Sequence, residues 1–170
     1  MTGRNVVLTG FMGTGKTTVG RLLAAELGFE LVDTDALIEE RHGPIAEIFA
    51  SRGEAAFRAI EREIAAELAG RTGLVIATGG RMLLDPANAA VLGAQGRVFC
   101  LVAAPEEVYA RVSADRTPVE RPLLAVPDPR RRIEELMAER AAGYGQFRQI
   151  PTDGRTPADV AAAILALLDL

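Results

Sequence analysis

A chain of 170 residues lies near single-domain size, and a domain of about 150 residues buries roughly 70% of the surface it exposes when unfolded, so one core is expected. Apolar residues make up 49% of the sequence, but they fall in short runs broken by Gly, Pro and charge, none approaching the ~20 residues of a membrane span. The net charge of −4 argues against nucleic acid as a partner, and the short basic run Arg130-Arg131-Arg132 reads as a solvated helix start.

The first residues, Met1 to Asn5, lack the basic, apolar and small-residue zones of a signal peptide, which makes the cytoplasm the expected location. Asn5 to Thr9 reads as a buried strand. Lys16 to Leu27 reads as a helix with Val19, Leu22, Leu23 and Leu27 apolar, stopped by Gly28. A second strand is expected over Glu30 to Asp33. Ile45, Ile48 and Phe49 mark a short helix, while Phe57, Ile60, Ile64 and Leu68 share one stripe of a longer helix ending at Gly70. Leu74 to Ala77 is the third strand. Pro86, Pro105, Pro129 and Pro157 each suit a first helical position, where the missing N–H costs nothing, and so mark four more helix starts. Strands are expected between them at Arg97 to Val102 and Phe147 to Pro151. Residues Ser113 to Pro129 carry four prolines and little periodicity and are read as a lid. The alternation predicts an α/β fold, with helices on both faces of a parallel sheet.

Cys100 and His42 are the sole cysteine and histidine. Cys100 lies inside an apolar run and reads as core, so no internal disulfide is possible. His42 stands beside Gly43-Pro44 and reads as a turn residue, which excludes a histidine-based metal site.

Gly10-Phe11-Met12-Gly13-Thr14-Gly15-Lys16-Thr17 fits G-x-x-x-x-G-K-[ST] between a predicted strand and a predicted helix. Glycines let such a loop wrap closely so that backbone N–H groups face a phosphate, and the helix N-terminus adds partial positive charge. Gly13, Thr14, Gly15, Lys16, Thr17 and Thr18 are therefore expected to hold ATP, with Lys16 on the β- and γ-phosphates and the Thr17 hydroxyl on Mg²⁺. Eighteen of the 19 basic residues are arginine, and the single lysine stands at this position.

Asp33-Thr34-Asp35 closes the second strand, where ligands of open parallel sheets bind. Strand alternation would point Asp33 and Asp35 the same way, one toward the metal and the other toward the proton of an acceptor hydroxyl; a turn with a helix cap is the competing reading. Gly79 and Gly80 follow the third strand and permit close approach of a ligand or simply a tight turn. Arg140 shares a helical stripe with Ile133, Leu136 and Met137. It either snorkels to the edge or pairs with an anion in a partly buried site.

Taken together, the P-loop, Asp33-Thr34-Asp35, Phe57-Arg58-Ala59-Ile60-Glu61, Gly79-Gly80, Arg121-Pro122-Leu123-Leu124 and Arg140 with Tyr144 resemble the shikimate kinases along essentially the whole chain. The resemblance implies a nucleoside-monophosphate-kinase-like P-loop fold with a five-stranded parallel sheet, a substrate-binding helical region over about 34–62 and a lid over about 113–129. It implies that Asp35 holds the acceptor hydroxyl, Arg58 and Arg140 the substrate carboxylate, Gly79 and Gly80 the substrate through their backbone, Asp33 the Mg²⁺ shell, and Arg121 the γ-phosphate. It further implies that Arg111 stacks on adenine and that the loop from Asp153 to Thr156, with Arg155, completes that pocket. Lys16, Asp35 and Arg121 would be the catalytic set. The family usually carries three consecutive glycines after the third strand, whereas here the third is Arg81. Its side chain would either turn into the acceptor pocket as a further substrate-binding cation or turn out to the rim. The implied activity is phosphorylation of the 3-hydroxyl of shikimate by a monomer; phosphorylation of another small hydroxylated anion and nucleotide binding without turnover are the alternatives.

Overall fold

The computed structural model describes residues 4–115 and 124–168. Five strands, β1 (Asn5–Gly10), β2 (Glu30–Asp33), β3 (Leu74–Ala77), β4 (Gly96–Val102) and β5 (Arg148–Pro151), form an all-parallel sheet in the order β2-β3-β1-β4-β5. Between and after them run α1 (Lys16–Leu27), α2 (Thr34–His42), α3 (Ile45–Ala69), α4 (Pro86–Gln95), α5 (Pro105–Ala114), α6 (Pro129–Gly145) and α7 (Pro157–Leu168).

Successive strand residues feed opposite faces of the sheet, as the two-residue period requires. Val6 and Leu8 pack with Val19 and Leu23 of α1 and Val160 and Ile164 of α7. Val7 and Ile76 pack instead with Ile60 and Ile64 of α3 and Leu92 of α4. Both faces are thus covered, which is why Val6-Val7-Leu8 of β1 and the whole of β3 are apolar without alternation. A third cluster joins Phe11 and Cys100 to Val108 of α5 and to Ile133 and Leu136 of α6, so Cys100 is core as expected.

The prolines expected to start helices do so at Pro86, Pro105, Pro129 and Pro157. Asp85 and Asp128 cap two of them, accepting from the N–H of Ala87 and Arg131 at 2.9 and 3.1 Å. The two helices expected over 45–70 are the two halves of α3, broken at Gly53, whose φ of 84° and ψ of 169° are not helical. Two expectations change. Thr34–His42 is a separate helix within the helical region implied over about 34–62, and His42 is its last residue rather than a turn residue, with Gly43 at φ 84° ending it. The segment read as a lid is shorter at both ends, since α5 continues to Ala114 and α6 starts at Pro129; Arg121 and the centre of that segment lie outside the described residues. Among the described residues no helix is long and apolar enough to cross a membrane.

Candidate active site

The connection after β1 leads toward β2 and the one after β4 toward β5, so the strand order reverses beside β1, the place where open α/β sheets bind ligands. The P-loop leaves β1 at that point. Gly10, Gly13 and Gly15 have φ of 136°, 74° and 93°, a region that favours glycine, and a Cβ on Gly10 would collide with the Leu101 carbonyl. Thr14 is buried and donates to the Phe11 carbonyl at 2.7 Å, which holds the loop's curl. No side chain caps α1, leaving its first N–H groups for a phosphate. Lys16 begins that helix, and its Nζ donates to the carbonyls of Gly10 (2.7 Å) and Phe11 (3.0 Å). Burial pulls its pKa down to about 8, against the opposing pull of Asp35. Thr18 is exposed on the same turn.

Thr17 Oγ1 donates to Asp33 Oδ2 at 2.6 Å, while Asp33 Oδ1 caps α2 by accepting from the Ala36 N–H at 3.1 Å. A hydroxyl and a carboxylate in contact are the hard oxygen donors that Mg²⁺ prefers. Among the described residues there is no group of three or more Asp, Glu, His or Cys that holds a metal by itself. A cation here would draw its remaining ligands from nucleotide phosphates and water, the usual way Mg²⁺ is held.

Asp35 lies in the first turn of α2 and not in the strand. Strand alternation is therefore not what brings it to the site; the start of the helix is. Burial, and after it the Asp33 charge, push its pKa up to about 6, while Lys16 pulls the other way. Thr34 Oγ1 accepts from the Gly79 N–H at 2.9 Å, a buried bond tying the end of β2 to the turn after β3. A Cβ on Gly79 would lie 2.6 Å from Asp35 Oδ1, and one on Gly80 would lie 3.4 Å from Arg140 Nη1. The two glycines thus make room for the protein's own carboxylate and guanidinium. Tyr144 donates its hydroxyl to the Gly80 carbonyl.

Arg140 is 7% exposed, its guanidinium 5.3 Å from the centroid of the Phe11 ring. Among the described residues no carboxylate pairs with it within 4.0 Å. A buried cation without a carboxylate calls for an anionic ligand. Arg58 instead has two carboxylates on its own helix, Glu61 at 2.6 Å and Glu54 at 3.3 Å. Glu61 is buried, which raises its pKa against the lowering effect of Arg58. Arg81 turns outward: its side chain is 52% exposed, with Nη1 3.7 Å from Glu54 Oε1.

On the nucleotide side, Arg111 donates to the Gly13 carbonyl (3.2 Å), Thr152 Oγ1 (3.0 Å) and the Thr152 carbonyl (3.1 Å), while Glu107 fixes its Nε at 3.0 Å. It joins the P-loop to the turn between β5 and α7. In that turn Asp153 accepts from the Ala104 N–H at 2.9 Å, and Arg155 donates to the carbonyls of Pro151 and Asp159, both at 3.1 Å.

The structure thus gathers Lys16, Thr17, Asp33, Asp35, Gly79, Gly80 and Arg140 at the carboxyl ends of β1, β2 and β3. Sequence reasoning assigned no role to Thr34, Glu54 or Glu61, or to the Tyr144 hydroxyl. The i, i+3 and i, i+4 spacings of Arg58 with Glu61 and Glu54 were a legible signal for two of them; the bond from Gly79 to Thr34 had none.

Residues 12–169 match the family described as shikimate kinase. A shikimate kinase of Caldanaerobacter subterraneus is 45% identical over 142 residues, covering 83% of this chain and 81% of that protein. One of Geobacter metallireducens is 45% identical over 168 residues, covering 98% and 92%. The solved structure of shikimate kinase from Acinetobacter baumannii in complex with shikimate superposes with a TM-score of 0.89 at 38% identity, covering 98% of this chain and 93% of that one. With a family match across nearly its whole length, on a five-stranded P-loop kinase fold, the chain belongs to the shikimate kinase family.

Proposed function

We propose that the chain transfers the γ-phosphoryl group of ATP to the 3-hydroxyl of shikimate, with Lys16, Asp35 and Arg121 as its catalytic residues. The observation that carries this reading is the pairing across Gly79-Gly80 of a proton-accepting carboxylate, Asp35, with a buried guanidinium lacking a carboxylate partner, Arg140. A hydroxy acid supplies what each of them lacks.

The P-loop N–H groups from Gly13 to Thr18 cradle the phosphates. Lys16 exchanges the carbonyls of Gly10 and Phe11 for β- and γ-oxygens and stabilises the charge that builds there in transfer. Arg140 and Arg58 hold the acceptor's carboxylate, and Arg140's planar fork suits bidentate pairing. That contact turns the 3-hydroxyl toward Asp35, which takes the hydroxyl proton as its oxygen bonds to the γ-phosphorus and the bond to the β,γ-bridging oxygen breaks, releasing ADP. Thr17 and Asp33 would hold Mg²⁺, which supplies charge neutralisation between the phosphates when bound. Arg111, braced on Gly13 and Thr152, forms a wall for adenine, with Arg155 in the adjoining turn. Arg121 is assigned to the γ-phosphate from the segment over 113–129.

The test is ADP release by the purified chain over a panel of hydroxy acids and polyols that includes shikimate and gluconate. Release that depends on shikimate, with 3-phosphorylated product by NMR, is the expected result. Efficient turnover of another acceptor in preference to shikimate overturns the assignment of substrate, and release with no acceptor overturns kinase activity.

A further inference from the structure

Four side chains form a row of alternating charge along the acceptor side: Arg81, Glu54, Arg58 and Glu61. Its two ends differ. The contact from Arg58 Nη1 to Glu61 Oε1 is short, 2.6 Å, and Glu61 is 2% exposed. Glu54 is 58% exposed, and among the described residues one oxygen, Oε1, faces both arginines: Arg58 Nε at 3.4 Å, Arg58 Nη2 at 3.3 Å and Arg81 Nη1 at 3.7 Å. One oxygen across the Nε–Nη2 edge is a poor match for a guanidinium, whose parallel N–H bonds suit two carboxylate oxygens.

Glu54 is therefore held loosely between two cations, while Glu61 is not. It is also the first residue after the break in α3 at Gly53. The Arg81 backbone is anchored, at φ −104° and ψ −3° with its carbonyl accepting from the Leu84 N–H at 3.0 Å, while its side chain is 52% exposed.

We propose that Arg81 is a positioning residue that draws Glu54 off Arg58 when the acceptor's carboxylate binds. The proposal rests on the reading above, in which Arg58 binds that carboxylate. An incoming carboxylate offers two oxygens to the Nε–Nη2 edge and displaces the one from Glu54. Glu54 then moves fully to Arg81 and is not left beside the bound anion, where like charges repel. Glu61 stays and keeps the opposite edge of Arg58 oriented. Without Arg81, Glu54 has no second cation and competes with the acceptor for Arg58.

Steady-state kinetics with shikimate varied at saturating ATP test this in the native chain, Arg81→Gly, Arg81→Lys, Glu54→Ala and the double variant Arg81→Gly/Glu54→Ala. Arg81→Gly is expected to raise KM for shikimate about threefold to fivefold, the scale of an exposed ion pair, with kcat within about twofold. Arg81→Lys keeps the cation and restores most of the native KM. In Glu54→Ala the competitor is gone, so KM stays at or below native and adding Arg81→Gly changes it less than about 1.5-fold. A loss of equal size from Arg81→Gly with and without Glu54 overturns the exchange, as does an unchanged or lowered KM in Arg81→Gly alone. A native chain that does not phosphorylate shikimate overturns the functional reading and the exchange with it, whereas native turnover with additive effects overturns the exchange alone.

Discussion

The carboxylate of Asp35 occupies the space that a side chain at position 79 would need, with Oδ1 2.6 Å from where a Gly79 Cβ would stand. Real Cβ atoms do not approach an oxygen that closely, so Gly79→Ala must displace Asp35 or the turn after β3. Misplacement of a catalytic group by about 1 Å costs on the order of a hundredfold in rate. Gly79→Ala is expected to lose about that much in kcat, with KM for ATP within about twofold because the P-loop is untouched. Parallel measurement of both constants checks it; a kcat near native shows that the carboxylate does not need this space.

Two titrations are expected to bracket activity. As the proposed base, Asp35 would accept the hydroxyl proton only when ionised, and its pKa is pushed up to about 6. In its proposed role Lys16 would stabilise phosphate charge only when protonated, and its pKa is pulled down to about 8. The profile of kcat/KM, which reports the free protein, is expected to rise through about pH 6 and fall through about pH 8. The falling limb of kcat should lie higher, because bound phosphates favour the ammonium. A flat profile between pH 5 and 9 removes both groups from the rate-determining step.

Asp35 also costs the fold stability. The native chain keeps its proton up to about pH 6, while the unfolded chain loses it near 4. Between those values the native state binds more protons, so the contribution of this group falls as pH rises, and the penalty is complete above about 6. Asp35→Asn is expected to abolish most turnover yet unfold later at pH 7 by several degrees, for a gain of up to about 3 kcal/mol. The difference in Tm should vanish below about pH 4, where both forms are neutral. Calorimetry at pH 4 and 7 distinguishes this from a gain unrelated to charge, which would persist at both.

Thr17 and Asp33, 2.6 Å apart, are expected to act on Mg²⁺ as a unit. Chelation of the metal should stop turnover reversibly. Asp33→Asn should raise the Mg²⁺ concentration for half-maximal rate about tenfold, as expected for a group that holds or orients a metal ligand. Thr17→Val in that background should add less than its effect alone, since groups in contact are not additive. Fully additive effects in a Mg²⁺ titration would separate the two roles.

The strands were legible as short apolar runs bounded by glycine, proline or charge, most helices because their apolar residues recur with period 3.6, and four more helix starts because proline suits a first helical position. Helix α2 was legible only through the resemblance, which implies a helical region over about 34–62; with only Thr34 and Ile38 of it buried, its own residues show no apolar stripe. The three-residue 3₁₀ turn Met82–Leu84 is too short to show any period. At the site, the P-loop and Asp33 were readable as local chemistry. The contact of Gly79 with Asp35 joins the turn after β3 to the first turn of α2, segments distant in sequence, and no spacing rule predicts it. The outward turn of Arg81 leaves its Nη1 3.7 Å from Glu54, the first residue after the break at Gly53, a tertiary contact that leaves no trace in the sequence beside Arg81 itself.

Because Lys16 is the chain's one lysine, the phosphate cradle can be addressed by chemistry that elsewhere is unselective. At pH 8 about half of its amine is neutral and nucleophilic, whereas an ordinary lysine, with a pKa near 10.4, is almost wholly protonated. An acylating reagent therefore meets one reactive side-chain amine apart from the α-amino group, and that amine leads into α1. Peptide mapping should find the adduct on Lys16 in the free protein and lose it when ATP fills the loop, which turns mass alone into a titration of nucleotide occupancy without a coupled enzyme or a coloured substrate.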